Sequence, residues 1–253
     1  MRVRAVLVVL LIPVLAFAGS IENTQHLELS IKDIQSIHII CGPGSLDVFG
    51  VERSDRIKVT AAVKISGITQ NMLQDFLDRH VLLSLKKRNR KAVLQSEFKN
   101  QNLMKADAKI DLTVEVPKSL GVKIDDGSGS IFITDLATNL KIADGSGSIE
   151  IRMTAGPISI SDGSGKIELA DITGNLVVKD GSGKINMVRV RGNVHVVDGS
   201  GSMTIKDIDG NVTVTDGSGS IEISDVTQNV FIKDAGSGIL EIEGVKGKVV
   251  KRE

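Results

Sequence analysis

The sequence predicts an all-β chain: a single-stranded parallel β-solenoid (β-helix or roll) with 18-residue coils, preceded by an N-terminal cap containing one short helix. Three observations carry this expectation. Asp-Gly-Ser-Gly begins at Asp126, Asp144, Asp162, Asp180, Asp198 and Asp216, each 18 residues after the last, and a seventh copy at Asp234 carries an extra residue, Ala235. Between copies the apolar residues alternate, as in Ile167, Leu169, Ile172, Leu176 and Val178, which is the period of a strand and not of a helix. Large core side chains are scarce, with no Trp, no Tyr and 6 Phe against 26 Gly, so thin, regular packing replaces a layered interior.

Residues 1–18 read as an export signal. Arg2 and Arg4 precede an apolar run from Ala5 to Leu15, and Ala16-Phe17-Ala18 supplies small residues at the cleavage spacing. The run is short of the ~20 residues of a spanning helix, so the mature chain is expected to start near Gly19, with no membrane span, in the periplasm or at the cell surface. Cys41 is the single cysteine. No internal disulfide can form, and a buried apolar role is expected for it ahead of a bridge between chains.

Residues 19–125 form a degenerate coil and a capping region. Cys41-Gly-Pro-Gly-Ser-Leu-Asp-Val aligns with the repeat, and Ile57-Lys-Val59 is expected to supply the next alternating pair of that coil. Ile68 to His80 places Met72, Leu73, Phe76 and Leu77 at helical spacing, and His80 falls where a helix C-terminus favours a cation. Val81 to Leu85, Ala92 to Phe98 and Lys109 to Val116 read as longer strands. The basic run from Lys86 to Lys91 is expected as a solvated hairpin tip, with an anionic envelope polymer as its alternative contact.

From 126 to 253 each unit divides into two similar halves, as in Asp162-Gly-Ser-Gly-Lys-Ile-Glu-Leu-Ala followed by Asp171-Ile-Thr-Gly-Asn-Leu-Val-Val-Lys. One coil is therefore two short strands and two glycine-bearing turns, giving two parallel sheets. Seven coils at the ~4.8 Å spacing of paired strands rise roughly 34 Å. A lone coil cannot offset its ordering entropy, so its neighbours must hold it.

Stacking would set Asp126, Asp144, Asp162, Asp180, Asp198 and Asp216 in one file, where like charges raise each other's pKa. Each Asp is expected to accept hydrogen bonds from the amides of its own Gly-Ser-Gly turn; the competing reading is a calcium site using the same six carboxylates. The calcium nonapeptide repeat shares the nine-residue rhythm, but Gly165 stands where that motif needs its ligand Asp, so the turn is the stronger reading. Asn139, Asn175, Asn193, Asn211 and Asn229 form a second file, interrupted by Pro157, in which stacked amides can hydrogen-bond. Asn211-Val-Thr213 also matches a glycosylation sequon. Gly-Ser-Gly leads into a strand and not a helix, so phosphate binding is not expected.

Charge balances at 31 basic and 31 acidic residues, which leaves no electrostatic footprint for nucleic acid. His26, His38, His80 and His195 occur in unrelated contexts, and no nucleophile-base or metal spacing emerges. Neither catalytic residues nor a cofactor are expected.

The signal, the Gly42-Pro43-Gly44 coil, the helix-bearing insertion, the Val116-Pro117 step and coils such as Gly145-Ser-Gly-Ser-Ile-Glu-Ile151 together resemble the bacterial extracytoplasmic β-strand-repeat family labelled "putative adhesin", a family of unknown function. The resemblance covers nearly all of the mature chain and implies envelope or surface placement and binding, with no catalytic residues to carry over. The expected function is a non-catalytic scaffold whose outward column Lys141, Ser159, Val177, His195, Thr213 and Phe231 contacts an envelope polymer or protein. Two alternatives stand beside it: a polysaccharide-acting β-helix enzyme using outward carboxylates such as Glu150, Glu168 and Glu222, and a structural protein that associates with itself.

Overall fold

The computed structural model describes residues 20–99 and 107–252, so the export signal expected at 1–18 lies outside them. The chain divides into two units, one ending at Gly129 and one beginning at Ser130.

The first unit contains β1 (Ser20–Ser30), β2 (Ser36–Cys41), β3 (Gly44–Val51), β4 (Arg56–Ser66), α1 (Leu73–His80), β5 (Val81–Arg88), β6 (Lys91–Phe98), β7 (Asp107–Pro117) and β8 (Gly121–Asp126). One of its sheets runs β1-β4-β7-β3, antiparallel except for the parallel β7/β3 pair. The other runs β5-β6-β2-β8, with an antiparallel β5/β6 hairpin and parallel β6/β2 and β2/β8 pairs.

Three expectations for this region change. Ile57 and Val59 do not close the degenerate coil. They sit in β4, an 11-residue strand whose strict alternation buries Ile57, Val59, Ala61, Val63 and Ile65 between antiparallel neighbours. The helix is also shorter than 68–80: Thr69 is extended, Gln70–Met72 is one 3₁₀ turn, and α1 covers only Leu73–His80. Leu73, Phe76 and Leu77 are buried as expected, while Met72 lies exposed on the 3₁₀ turn. The basic tip shrinks to Asn89 and Arg90, because Lys86, Lys87 and Arg88 extend β5 opposite β6; Asn89 takes the left-handed conformation at φ 55°, which Asn tolerates better than most residues. Cys41 is buried.

The second unit is built on the repeat. Its strands are β9 (Gly129–Thr134), β10 (Leu140–Asp144), β11 (Gly147–Ala155), β12 (Ile158–Asp162), β13 (Gly165–Thr173), β14 (Leu176–Asp180), β15 (Gly183–Arg191), β16 (Val194–Asp198), β17 (Gly201–Asp209), β18 (Val212–Asp216), β19 (Gly219–Val226), β20 (Val230–Ala235), β21 (Leu240–Glu243) and β22 (Val249–Lys251). Odd-numbered strands form one sheet and even-numbered strands the other. Pairing is parallel with a register of 18: Ile149 faces Ile167, Ile167 faces Ile185, and Leu176 faces Val194. Up to β19 each coil therefore meets its neighbour in the identical phase and the inward columns of Ile, Leu, Val and Met, with Thr154 among them, are buried, whereas β21 and β22 pair in steps of 19 and Leu240 and Ile242 are half-buried.

The Asp-Gly-Ser-Gly turn needs glycine for two reasons at once. Gly165 has φ +141°, and a Cβ there would lie 1.6 Å from the Gly147 carbonyl oxygen of the adjacent coil. Gly183 repeats the arrangement one coil on, at φ +143° and 1.8 Å from the Gly165 oxygen. Stacked turns thus exclude every side chain at this position.

The two halves of a coil are less alike than their sequences. The strand after Asp-Gly-Ser-Gly runs nine residues through Asp171, whereas the return strand has five. Asp171 heads no turn. It bends β13 in the left-handed conformation at φ 58°, and Asp135, Met153, Arg189, Asp207 and Asp225 do the same in their own coils. The second turn is carried by Gly174-Asn175 and its equivalents, where the asparagine file forms: the Asn193 amide donates to Asn175 Oδ1 at 2.9 Å, and Asn211 Nδ2 donates to Asn193 Oδ1 at 3.0 Å. Asn229 continues the file through its own Nδ2, donating to Asn211 Oδ1 at 3.0 Å.

Candidate functional site

Two kinds of column run across the coils of the second unit, one inward and one outward. The inward one is acidic. Asp144, Asp162, Asp180, Asp198 and Asp216 end successive short strands and pair in register. Each continues the inward parity of its strand, as in Leu176, Val178 and Asp180, so the carboxyl groups are buried, from 8 % exposed at Asp144 to 2 % at Asp216. Asp126 occupies the equivalent place in the first unit and is 9 % exposed.

The expected Asx-type turn is found at some coils and not at others. Asp126 Oδ1 accepts from the Gly127 amide at 2.9 Å, and Asp198 Oδ1 from the Ser200 amide at 3.3 Å. Neither carboxyl oxygen of Asp144, Asp162, Asp180 or Asp216 has a hydrogen-bond donor. The first glycine amides of these turns also serve the neighbouring coil, Gly163 donating to the Asp144 carbonyl at 3.1 Å and Gly181 to the Asp162 carbonyl at 3.1 Å. The turn amides are near enough to favour the charged form somewhat, but burial outweighs them. Burial raises all five pKa values, and the charges of Asp162 and Asp198 help to push Asp180 to about 6.

Asp234 leaves this file. The extra residue of its coil is absorbed in β20, where Lys233 is left without a pairing partner opposite the Val214–Thr215 step, so Asp216 pairs with Ala235. Asp234 turns to solvent and accepts from the Gly236 amide at 3.0 Å. As for the calcium reading, no group of three or more His, Cys, Asp or Glu among the described residues is arranged to hold a metal ion.

The outward columns match their sequence-based assignment. Lys141, Ser159, Val177, His195, Thr213 and Phe231 pair one to the next across the even-numbered sheet, and Val177 and Phe231 are 37 % and 38 % exposed. Partial burial lowers the His195 pKa, with Lys233 and Lys179 adding to the effect, so the imidazole is neutral near pH 7. On the odd-numbered sheet, Glu150, Glu168 and Glu222 share a column with Asn186 and Thr204. Glu150 pairs with Arg152 and Glu168 with Lys166 at 2.8 Å, which ties these carboxylates to cations on their own strands.

Sequence reasoning missed two features. In the left-handed column Arg189 grips Asp171 with two hydrogen bonds of 2.6 and 2.7 Å, and this ion pair lowers the Asp171 pKa. In the first unit His38 Nε2 lies 2.5 Å from Asp125 Oδ2, which Lys123 also contacts at 2.7 Å. Burial would raise the Asp125 pKa, but these two partners hold it below the usual carboxylate range. The register β2/β8 that joins His38 to Lys123 and Asp125 spans a long insertion, so no local spacing announced it.

Among solved structures, a protein from Parabacteroides distasonis described as a "putative lipid binding protein" is 16 % identical, with 91 % of this chain and 97 % of that chain covered and a TM-score of 0.51. This chain shares its fold. A "putative adhesin" from Bacteroides fragilis is 14 % identical over 90 % of this chain and 97 % of its own, with a TM-score of 0.37. Another from Parabacteroides merdae is 14 % identical over 91 % and 96 %, with a TM-score of 0.35. No family model and no curated protein matches the sequence. Among the described residues no helix is long and apolar enough to cross a membrane.

Proposed function

We propose that the chain is an exported, non-catalytic, adhesin-like β-solenoid that binds an extended envelope polymer or protein along the outward face of its even-numbered sheet. The observation that carries this reading is the unbroken outward column from Lys141 to Phe231, one residue per coil in strict register. Neighbouring contacts ~4.8 Å apart on a stiff sheet suit a partner that is itself extended, because many weak contacts add without further ordering cost. Apolar Val177 and Phe231 stand exposed beside polar neighbours, a mixture that fits a protein or glycan strand better than a purely anionic polymer. The pairing of Glu150 with Arg152 and of Glu168 with Lys166 on the opposite sheet supports binding over catalysis by these carboxylates.

Cross-linking of the purified chain to cell-envelope material, followed by identification of the captured molecule, tests the reading. Capture should weaken at least tenfold in a Val177→Glu, Phe231→Glu double variant whose β-sheet circular dichroism is unchanged. Full capture by that variant would move the binding face elsewhere, and turnover of an envelope polysaccharide by the wild type would replace the reading with an enzyme. Lipid vesicles serve as the comparison arm, since the Parabacteroides distasonis protein of the same fold is described as lipid binding.

A further inference from the structure

The aspartate file sits in a largely apolar interior, whose other buried polar side chains in this unit are the uncharged Thr134, Thr154 and Ser224 among the described residues, and its unpartnered oxygens need a ligand. Asp144, Asp162, Asp180 and Asp216 are each more than nine-tenths buried, with both carboxyl oxygens lacking a donor. The groups that face them offer no counter-charge. The ionisable neighbour of Asp144 is Asp162; Asp180 lies between Asp162 and Asp198; Asp198 meets Asp216, and Asp216 feels Asp234. No lysine, arginine or histidine among the described residues is close enough to bias any of the five, and the first inward residues after the turns are Ile149, Ile167, Ile185, Met203 and Ile221. Five adjacent buried carboxylates cannot all stay ionised, since neutralising a group costs less than burying its unpaired charge.

Their spacing supplies the solution. Strands repeat at ~4.8 Å, and two oxygens of one carboxyl group are ~2.1 Å apart, so carboxyl planes aligned with the stack leave ~2.7 Å between neighbours, the length of an O–H···O⁻ bond.

The geometry points to a proton-sharing ladder in which bound protons are the ligand: O–H···O bonds bridge the carboxyl groups of Asp144, Asp162, Asp180, Asp198 and Asp216 from coil to coil. Four protons in the four gaps between these five groups leave one negative charge for the whole file. Each proton satisfies an oxygen on either side without any atom from outside the fold, and it joins adjacent coils where the backbone turns.

The sign of the pH dependence follows. With Asp180 raised to about 6 and the other four raised as well, the folded chain holds protons that an unfolded chain, at ~3.9, has released. Stability from the ladder is complete below ~4 and is lost as pH rises through about 6. Lowered carboxyls such as Asp111 and Asp125 act oppositely, but only at pH values below the usual carboxylate range.

Thermal unfolding of the full chain in chelator-containing buffers of constant ionic strength, from about pH 5 to about pH 8.5, tests the ladder. The wild-type Tm should fall by roughly 5 °C or more across that range. A D162N/D180N/D198N variant should lose most of this slope and melt higher than wild type at the alkaline end, because amides bridge without a proton. Should that variant fail to fold, infrared spectra of the wild type in D₂O decide: a protonated-carboxyl C=O band should persist near neutral pH and vanish at the alkaline end. A flat wild-type profile, an equal slope in the variant, or no such band overturns the ladder. Recovery of the alkaline Tm by added Ca²⁺ also overturns it, in favour of a cation file.

Discussion

Single residues in this chain are governed by what lies one coil away. Gly165 illustrates the strongest case, since its Cβ position is occupied by the Gly147 carbonyl oxygen at 1.6 Å and its φ is +141°. Gly165→Ala or Gly183→Ala should therefore cost at least ~2 kcal/mol, read as a Tm loss of about 5 °C, while the exposed Lys166→Ala should stay within about 0.5 kcal/mol of wild type. The left-handed column makes the opposite prediction. Met153 holds φ 49° and is 57 % exposed, in a column where Asp fills most coils. Asn reaches that conformation more readily, so Met153→Asn should stabilise by roughly 0.5–1 kcal/mol, measured as a raised denaturant midpoint. Asn211 shows a functional consequence of the same stacking: its Nδ2 donates to Asn193 and, at 2.8 Å, to Gln228 Oε1, so the nitrogen that a glycan would need is engaged in the file.

At the scale of elements, the coil and not the strand is the unit. Pairing in steps of 18 puts every inward column, both turn files and the acidic file in phase. Removing residues 162–179 excises one whole coil and leaves that phase intact, so β-sheet circular dichroism per residue should be retained with a modest loss of Tm. Removing only 171–179 sets a five-residue strand against a nine-residue one and brings Asp-Gly-Ser-Gly opposite the wrong turn. That shorter deletion should abolish cooperative melting, although it takes away fewer contacts; two equal outcomes would show that the half-coil is the repeating unit. The bulge at Lys233, opposite the Val214–Thr215 step, shows how one surplus residue is tolerated, at the cost of turning Asp234 out of the file.

For the molecule as a whole, a formal net charge near zero, with or without Arg2 and Arg4 of residues 1–18, leaves little of the long-range repulsion that keeps chains apart. Ile239, Val249 and Val250 are 64 %, 44 % and 44 % exposed, and β21 and β22 are the last strands of their sheets. Exposed apolar residues on strand edges favour pairing with another copy. Sedimentation velocity should show reversible self-association that weakens with Val250→Lys; a wild-type chain that stays monomeric at high concentration would restrict the function to binding other molecules.

Sequence alone determined the repeat, its register and its outward and inward columns, because in a parallel solenoid the residue 18 places on is the neighbour in space. Counting from Lys141 to Phe231 is then equivalent to walking across the sheet. Tertiary structure decided what counting cannot reach. The antiparallel role of β4, the union of His38 with Asp125, and the start of the helix at Leu73 depend on pairings across a non-repeating insertion, where no period links sequence to space. The inward burial of the aspartates depended on side-chain parity up to the end of a strand and on the in-register stacking of neighbouring coils. Both are properties of stacked backbones, and they turn a turn-forming residue into a buried acid.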